Sequence, residues 1–92
     1  MKWGKRYVGG RPSYYVLHYE FVEGIKEKRT PFRKEHLDQA DKEVRKGKLL
    51  LGGASGDPPD SGLVVFKNVS EEEVEAFAAS DPYVRNGLVT KW

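Results

Sequence analysis

The sequence predicts an α+β fold in the order β-α-β-β-α-β, a four-stranded antiparallel sheet with two helices on one face. Three observations carry the prediction. Tyr14 to Val22 (YYVLHYEFV) is dense in aromatic and β-branched residues, the composition of a pleated, half-buried strand. Two short apolar runs, Leu49 to Leu51 and Leu63 to Phe66, flank the turn-rich stretch GGASGDPPDSG. Two segments of helical period separate these strands from their neighbours, each opened by a cap signal and closed by a breaker.

In chain order, residues 1–13 carry Gly4, Gly9, Gly10 and Pro12 and read as an N-terminal arm, with Lys5 to Val8 extended; the domain proper is residues 14–92. The first strand ends at Glu23-Gly24, and Ile25 to Thr30 reads as a charged connection. Thr30 is placed to cap a helix whose first turn holds Pro31. Leu37, Ala40 and Val44 repeat at helical spacing, Lys42, Arg45 and Lys46 suit the negative end of the helix dipole, and Gly47 stops it. The second helix opens at Ser70 with a capping box to Glu73 and a Val69–Val74 staple. Val74, Phe77 and Ala78 form its apolar stripe, and Asp81-Pro82 breaks it. Gly87 to Trp92 (GLVTKW) is the last strand. Two β-α-β halves of this kind, joined by right-handed crossovers, give the ferredoxin-like arrangement.

Composition bounds the function. At 92 residues the chain is one domain, and 38% hydrophobic against 33% charged residues is a globular composition, not a disordered or collagenous one. No apolar run approaches the roughly 18 residues of a membrane span, so no membrane partner is expected. No charged-then-apolar leader opens the chain, and cysteine is absent, which excludes thiolate catalysis, disulfides and thiolate zinc sites; a cytoplasmic address is the expectation. A net charge of +2 has its one concentration of base at Lys2, Lys5, Arg6 and Arg11. A solvated basic terminus explains these residues, and no nucleic-acid partner is expected. The β-α-β-β-α-β order also invites an RNA-recognition reading, but Gly62 to Lys67 (GLVVFK) lacks the aromatic stacking motif that module needs.

The strand faces point to a partner. Tyr15, Leu17, Tyr19 and Phe21 share one face of the first strand; Tyr14, Val16, His18 and Glu20 share the other. The two middle runs are apolar on both faces, as in sheets covered on both sides, and two helices cover only one. A two-fold homodimer, sheet against sheet through the face with Val16 and His18, would cover the other. The competing reading is a monomer whose N-terminal arm covers part of it.

Few residues can carry chemistry. His36 sits on the flank of the first helix's apolar stripe and Arg33 nearer its centre, where it either snorkels or meets an anion. Asp81 caps a short turn through Pro82 to Val84, or it orients His36 and leaves the other imidazole nitrogen free as a general base. His18 is read as a satisfied core histidine that could line the sheet interface. A metal site from His18, His36 and Asp81 is conceivable, but no i,i+4 histidine pair or carboxylate cluster supports it, and neither a metal nor an organic cofactor is expected. The Gly52 to Gly62 loop matches no phosphate-binding glycine motif.

The stretches RTPFRKEHL (29–37), GKLLLGGASGDPPDSGLVVF (47–66), SEEEVEAF (70–77) and DPYVRNGLV (81–89) resemble the YCII-related domain over roughly residues 14–92. The resemblance implies a dimeric α+β barrel and an active-site His-Asp pair, here His36 and Asp81. It implies no assigned reaction, although elimination and isomerisation on small ring compounds occur in the wider group. Such proteins run on past the equivalent of Thr90-Lys91-Trp92, whereas this chain carries an extra start that resembles that missing segment. The N-terminal arm is therefore expected to take its place, in its own subunit or the partner's. Two functions remain open. One is a small enzyme with His36 as general base or acid, Asp81 orienting it and Arg33 binding an anionic group. The other is a non-catalytic small-ligand-binding or interaction domain with the same pocket.

Overall fold

The structure, a computed structural model, describes residues 13–92 and the backbone of residues 4–6. Strand β1 (Gly4–Arg6) is followed by β2 (Tyr14–Phe21), a one-turn helix α1 (Ile25–Lys28), a 3-10 turn (Thr30–Phe32) and helix α2 (Arg33–Arg45). Then come β3 (Leu49–Ser55), β4 (Ser61–Lys67), α3 (Glu71–Ser80), a one-turn helix α4 (Pro82–Arg85) and β5 (Val89–Lys91). The sheet is antiparallel in the order β5-β2-β4-β3, as the β-α-β-β-α-β reading predicts, with β1 added. β4 takes one edge of β2, so β1 and β5 share the other, β1 against Tyr14–Val16 and β5 against Glu20 and Phe21. The two short strands thus lie in line, both antiparallel to β2. The rest of the segment read as an arm, including Tyr7 and Val8, lies outside the described residues.

Register divides the sheet into an inner and an outer face. Tyr15 opposite Phe66, Leu17 opposite Val64 and Tyr19 opposite Gly62 face the helices. Val16 opposite Val65 and His18 opposite Leu63 face away. A register shift between Leu49 and Leu51 puts Leu49 inward against Phe66 and Leu51 outward against Val65. This irregularity is how an unbroken leucine run serves both faces. The inner face packs on α3, where Tyr15, Leu17 and Phe66 meet Val74, Phe77 and Ala78, with Phe66 and Phe77 edge to face at 5.1 Å. The capping box is present in both directions, Ser70 Oγ accepting from Glu73 N–H and Glu73 accepting from Ser70 N–H. Val69 and Val74 are buried in the same cluster.

Four expectations need correction. Ile25 to Thr30 is not plain connection: Ile25 anchors α1 and is buried with Tyr83 and Leu88. One apolar residue among charges is too little periodicity to announce a helix. Thr30 does not cap α2; it opens the 3-10 turn, and Phe32 precedes α2 with no side-chain cap. The turn-rich loop shrinks to residues 56–60, because Gly52 to Ser55 and Ser61 pair as strand. His18 is exposed on the outer face of the single chain, not a satisfied core histidine. Gly47 does stop α2, with φ +73, a conformation glycine adopts without the Cβ clash.

The main surprise is where the first helix puts its stripe. α2 has no buried residue, and Leu37 and Val44 are 47% and 49% exposed. The helix is held at its N-terminal half: Gln39 donates to Phe77 O of α3, and Glu35 pairs with Arg85 of α4 at 3.2 Å. Of its apolar face, Ala40 packs against the core, while Leu37 and Val44 stand clear of it.

Candidate active site

Between α2 and the inner face of the sheet lies a cleft of about 560 Å³. One wall is the α2 face that repeats every three to four residues, Arg33, His36-Leu37, Ala40 and Val44. The opposite side is Leu49 and Val64 of the sheet, with Tyr19, Phe21 and Tyr83 towards the α4 end. Gly62 matters here: a Cβ would come within 2.8 Å of the Phe21 ring, so only glycine lets that ring lie across the sheet and border the cleft.

Asp81 organises the dyad end. It lies between α3 and α4 with ψ 126, the extended conformation imposed on a residue before proline. That kink turns its carboxylate inward, where it is fully buried. A buried carboxylate must be hydrogen-bonded to be tolerated. Asp81 has three partners. Tyr19 OH donates to Oδ2 at 2.8 Å, Tyr83 N–H donates to Oδ1 at 2.9 Å, and His36 Nδ1 lies 2.8 Å from the same Oδ1. The ionised carboxylate only accepts, so Nδ1 carries the proton and donates. Nε2 of the neutral ring therefore holds the lone pair, and it meets no partner among the described residues.

The two sequence readings of Asp81 are both present. It is the N-cap of α4, accepting from Tyr83 N–H, and it holds His36. The imidazole is further fixed by stacking on the Tyr83 ring, centroids 3.8 Å apart and planes 7° from parallel. Its side chain is 18% exposed, at the cleft. A tautomer set by a buried carboxylate and a ring held by stacking are what a general base or acid needs.

Two tyrosines complete the arrangement, and neither was singled out from the sequence. Tyr19 reads there as one more inner-face residue of the strand; a buried tyrosine needs a partner for its hydroxyl, which was the available signal. Burial, then the charge and hydrogen bond of Asp81, push the Tyr19 phenol far above its ordinary value, so it is a permanent donor. Tyr83 is also buried, and burial raises its phenol while the Arg33 and Arg29 charges pull it down. Its hydroxyl meets no partner in strict hydrogen-bond geometry among the described residues, but the Arg33 guanidinium lies beside it and lowers its phenol by polar contact as well as by charge.

Arg33 is exposed and lines the cleft with Arg29. Neither pairs with a carboxylate among the described residues. His18 is on the opposite sheet face from the dyad, so His18, His36 and Asp81 cannot share a metal. Among the described residues, no group of three or more His, Cys, Asp or Glu side chains converges as metal ligands, and no helix is long and apolar enough to cross a membrane.

The sequence model of the YCII-related domain matches residues 13–92. None of the curated proteins matches the chain. Among solved structures, the fold is similar to that of 5-chloro-2-hydroxyhydroquinone dehydrochlorinase from Burkholderia phenoliruptrix AC1100, in complex with 2,5-dihydroxybenzoquinone. The TM-score is 0.70 at 20% sequence identity, over 85% of this chain and 86% of that one.

Proposed function

The chain belongs to the YCII-related domain family, and from that premise we propose that it is an enzyme of general acid–base chemistry, using His36 oriented by Asp81 on a small anionic ring substrate. One observation carries the reading. A buried carboxylate with three donors holds Nδ1–H of a stacked imidazole, and Nε2, beside the cleft, meets no partner among the described residues. The ring nitrogen takes a proton from carbon next to a carbonyl or enol. The electron pair then moves into the ring, and either a leaving group departs, which is elimination, or the pair is reprotonated elsewhere, which is isomerisation. Asp81 stabilises the imidazolium formed, and Arg33 binds the oxyanion. The dehydrochlorinase of similar fold supports the elimination branch.

The test is chloride release from 5-chloro-2-hydroxyhydroquinone, and deuterium exchange into a hydroxyquinone followed by proton NMR. The wild type is expected to exceed His36→Asn by a factor of about 10²–10⁴, the usual contribution of a general base. Equal rates in the two, or none in either, would overturn the enzyme reading. They would leave a ligand-binding domain, for which the two guanidiniums at the cleft are the supporting feature.

We propose also that the chain works as a homodimer through the outer face of the sheet. Leu51 and Leu63 are 55% and 40% exposed there, beside the Val16–Val65 pair.

A further inference from the structure

Leu37 and Val44 of α2 stand about half exposed, and the buried Tyr83 hydroxyl meets no partner in hydrogen-bond geometry among the described residues. These are unrelated defects by the ordinary rules of packing and hydrogen bonding. They fall at opposite ends of one cleft. At the dyad end, Tyr83 is accompanied by Arg29 and Arg33, both without a carboxylate partner among the described residues. Along the cleft, Leu37 and Val44 of α2 and Leu49 and Val64 of the sheet contribute apolar lining. Asp41 also lines the cleft, but its carboxylate is held by Arg45 at 2.8 Å. The charge pattern is thus a cationic end and an apolar body.

We propose that the cleft seats a planar anion with an apolar body longer than one ring, its oxygens held by Tyr83 OH, Arg29 and Arg33 and its body lying along Leu37 and Val44. The proposal rests on the site assigned above and narrows its substrate class from small rings to extended, amphipathic ones. A cleft of about 560 Å³ lies within the roughly 300–1,000 Å³ of sites for drug-sized ligands. Tyr83 then has two tasks. Its ring stacks on His36, and its hydroxyl, kept protonated by burial, donates to the ligand. A ligand oxygen reaches that hydroxyl on a shift of the Arg33 side chain, which is exposed.

Three probes test this by calorimetry: 2-naphthoate, benzoate and the neutral methyl ester of 2-naphthoate. 2-Naphthoate is expected to bind at least about ten-fold more tightly than either of the others. Tyr83→Phe keeps the stacked ring and is expected to weaken 2-naphthoate about ten-fold, the effect of one charge-assisted hydrogen bond. Because the hydroxyl meets no partner in hydrogen-bond geometry among the described residues, its removal should change thermal stability little. Val44→Asn, at an exposed helix position, should weaken 2-naphthoate and leave benzoate alone. Equal binding of acid and ester, equal binding to wild type and Tyr83→Phe, or no binding of any probe at millimolar concentration would each overturn the proposal. Binding is read without turnover, so the two readings fail separately. Tyr83-dependent binding with no turnover removes the general base and keeps the anion seat. Turnover with Tyr83-independent binding does the reverse.

Discussion

At the scale of single residues, the site turns on Asp81 being buried and fully partnered. Each of its three donors comes from a different part of the chain: Tyr19 from β2, His36 from α2, and the Tyr83 amide from α4. Removing one leaves charge buried with too few partners. Tyr19→Phe should therefore cost about 1–3 kcal/mol in a denaturant titration at pH 7. It should also change the alkaline behaviour. The folded state holds the Tyr19 phenol protonated far above its unfolded value of about 10. A raised value contributes stability that is complete below the unfolded pKa and is lost as pH climbs above it. Wild-type stability should thus fall above about pH 10, and more steeply than that of Tyr19→Phe, which keeps the raised Tyr83 phenol but loses that of Tyr19. Parallel stability curves for the two proteins between neutral pH and pH 11 would show that Tyr19 is not the donor to Asp81.

At the scale of elements, the two main helices are stabilised by different means. α3 is a capped helix packed on the core, so Ser70→Ala should lower stability by about 1 kcal/mol and leave ligand binding unchanged; an unmoved denaturation midpoint would contradict the cap. α2 has no side-chain cap and no buried residue, and it is held by contacts to α3 and α4 and by Ala40 against the core. This contrast marks what was legible beforehand. The β2 alternation, the capping box at Ser70 and the stop at Gly47 are local signals, and each element they announce is present. The period of Leu37, Ala40 and Val44 identifies a helix face but says nothing about whether that face meets core or cleft. The same limit applies at the site. His36 and Asp81 were candidates by chemical type and by family resemblance. The Tyr19–Asp81 bond joins residues 62 apart, a pairing that no local period encodes.

At the scale of the whole molecule, the two faces of the sheet are finished differently. The inner face is closed by α3 and partly opened by the cleft, while the outer face carries Leu51 and Leu63 uncovered and the Val16–Val65 pair half-buried. β1 extends the β2 edge in line with β5 and so lengthens the sheet at its edge. An uncovered apolar face of this kind is the surface a two-fold partner would bury, each copy offering the same strands to the other. Register names the residue to change. Leu63 points outward opposite His18, whereas Val64 and Phe66 point into the core, so Leu63→Lys tests the face without disturbing the interior. In an isolated chain Leu63 is 40% exposed, and a lysine there can keep its ammonium in water. In a face-to-face dimer the same ammonium is trapped between two sheets, which should weaken association by at least about a hundred-fold, ~3 kcal/mol. Glu72→Lys, on the exposed surface of α3, makes a larger charge change away from this face and should leave the dimer intact. Light scattering at micromolar concentration reads both variants. A monomeric wild type, or a Leu63→Lys protein that stays dimeric, would place the partner elsewhere or remove it, and the leucines would then be ordinary exposed residues of a monomer.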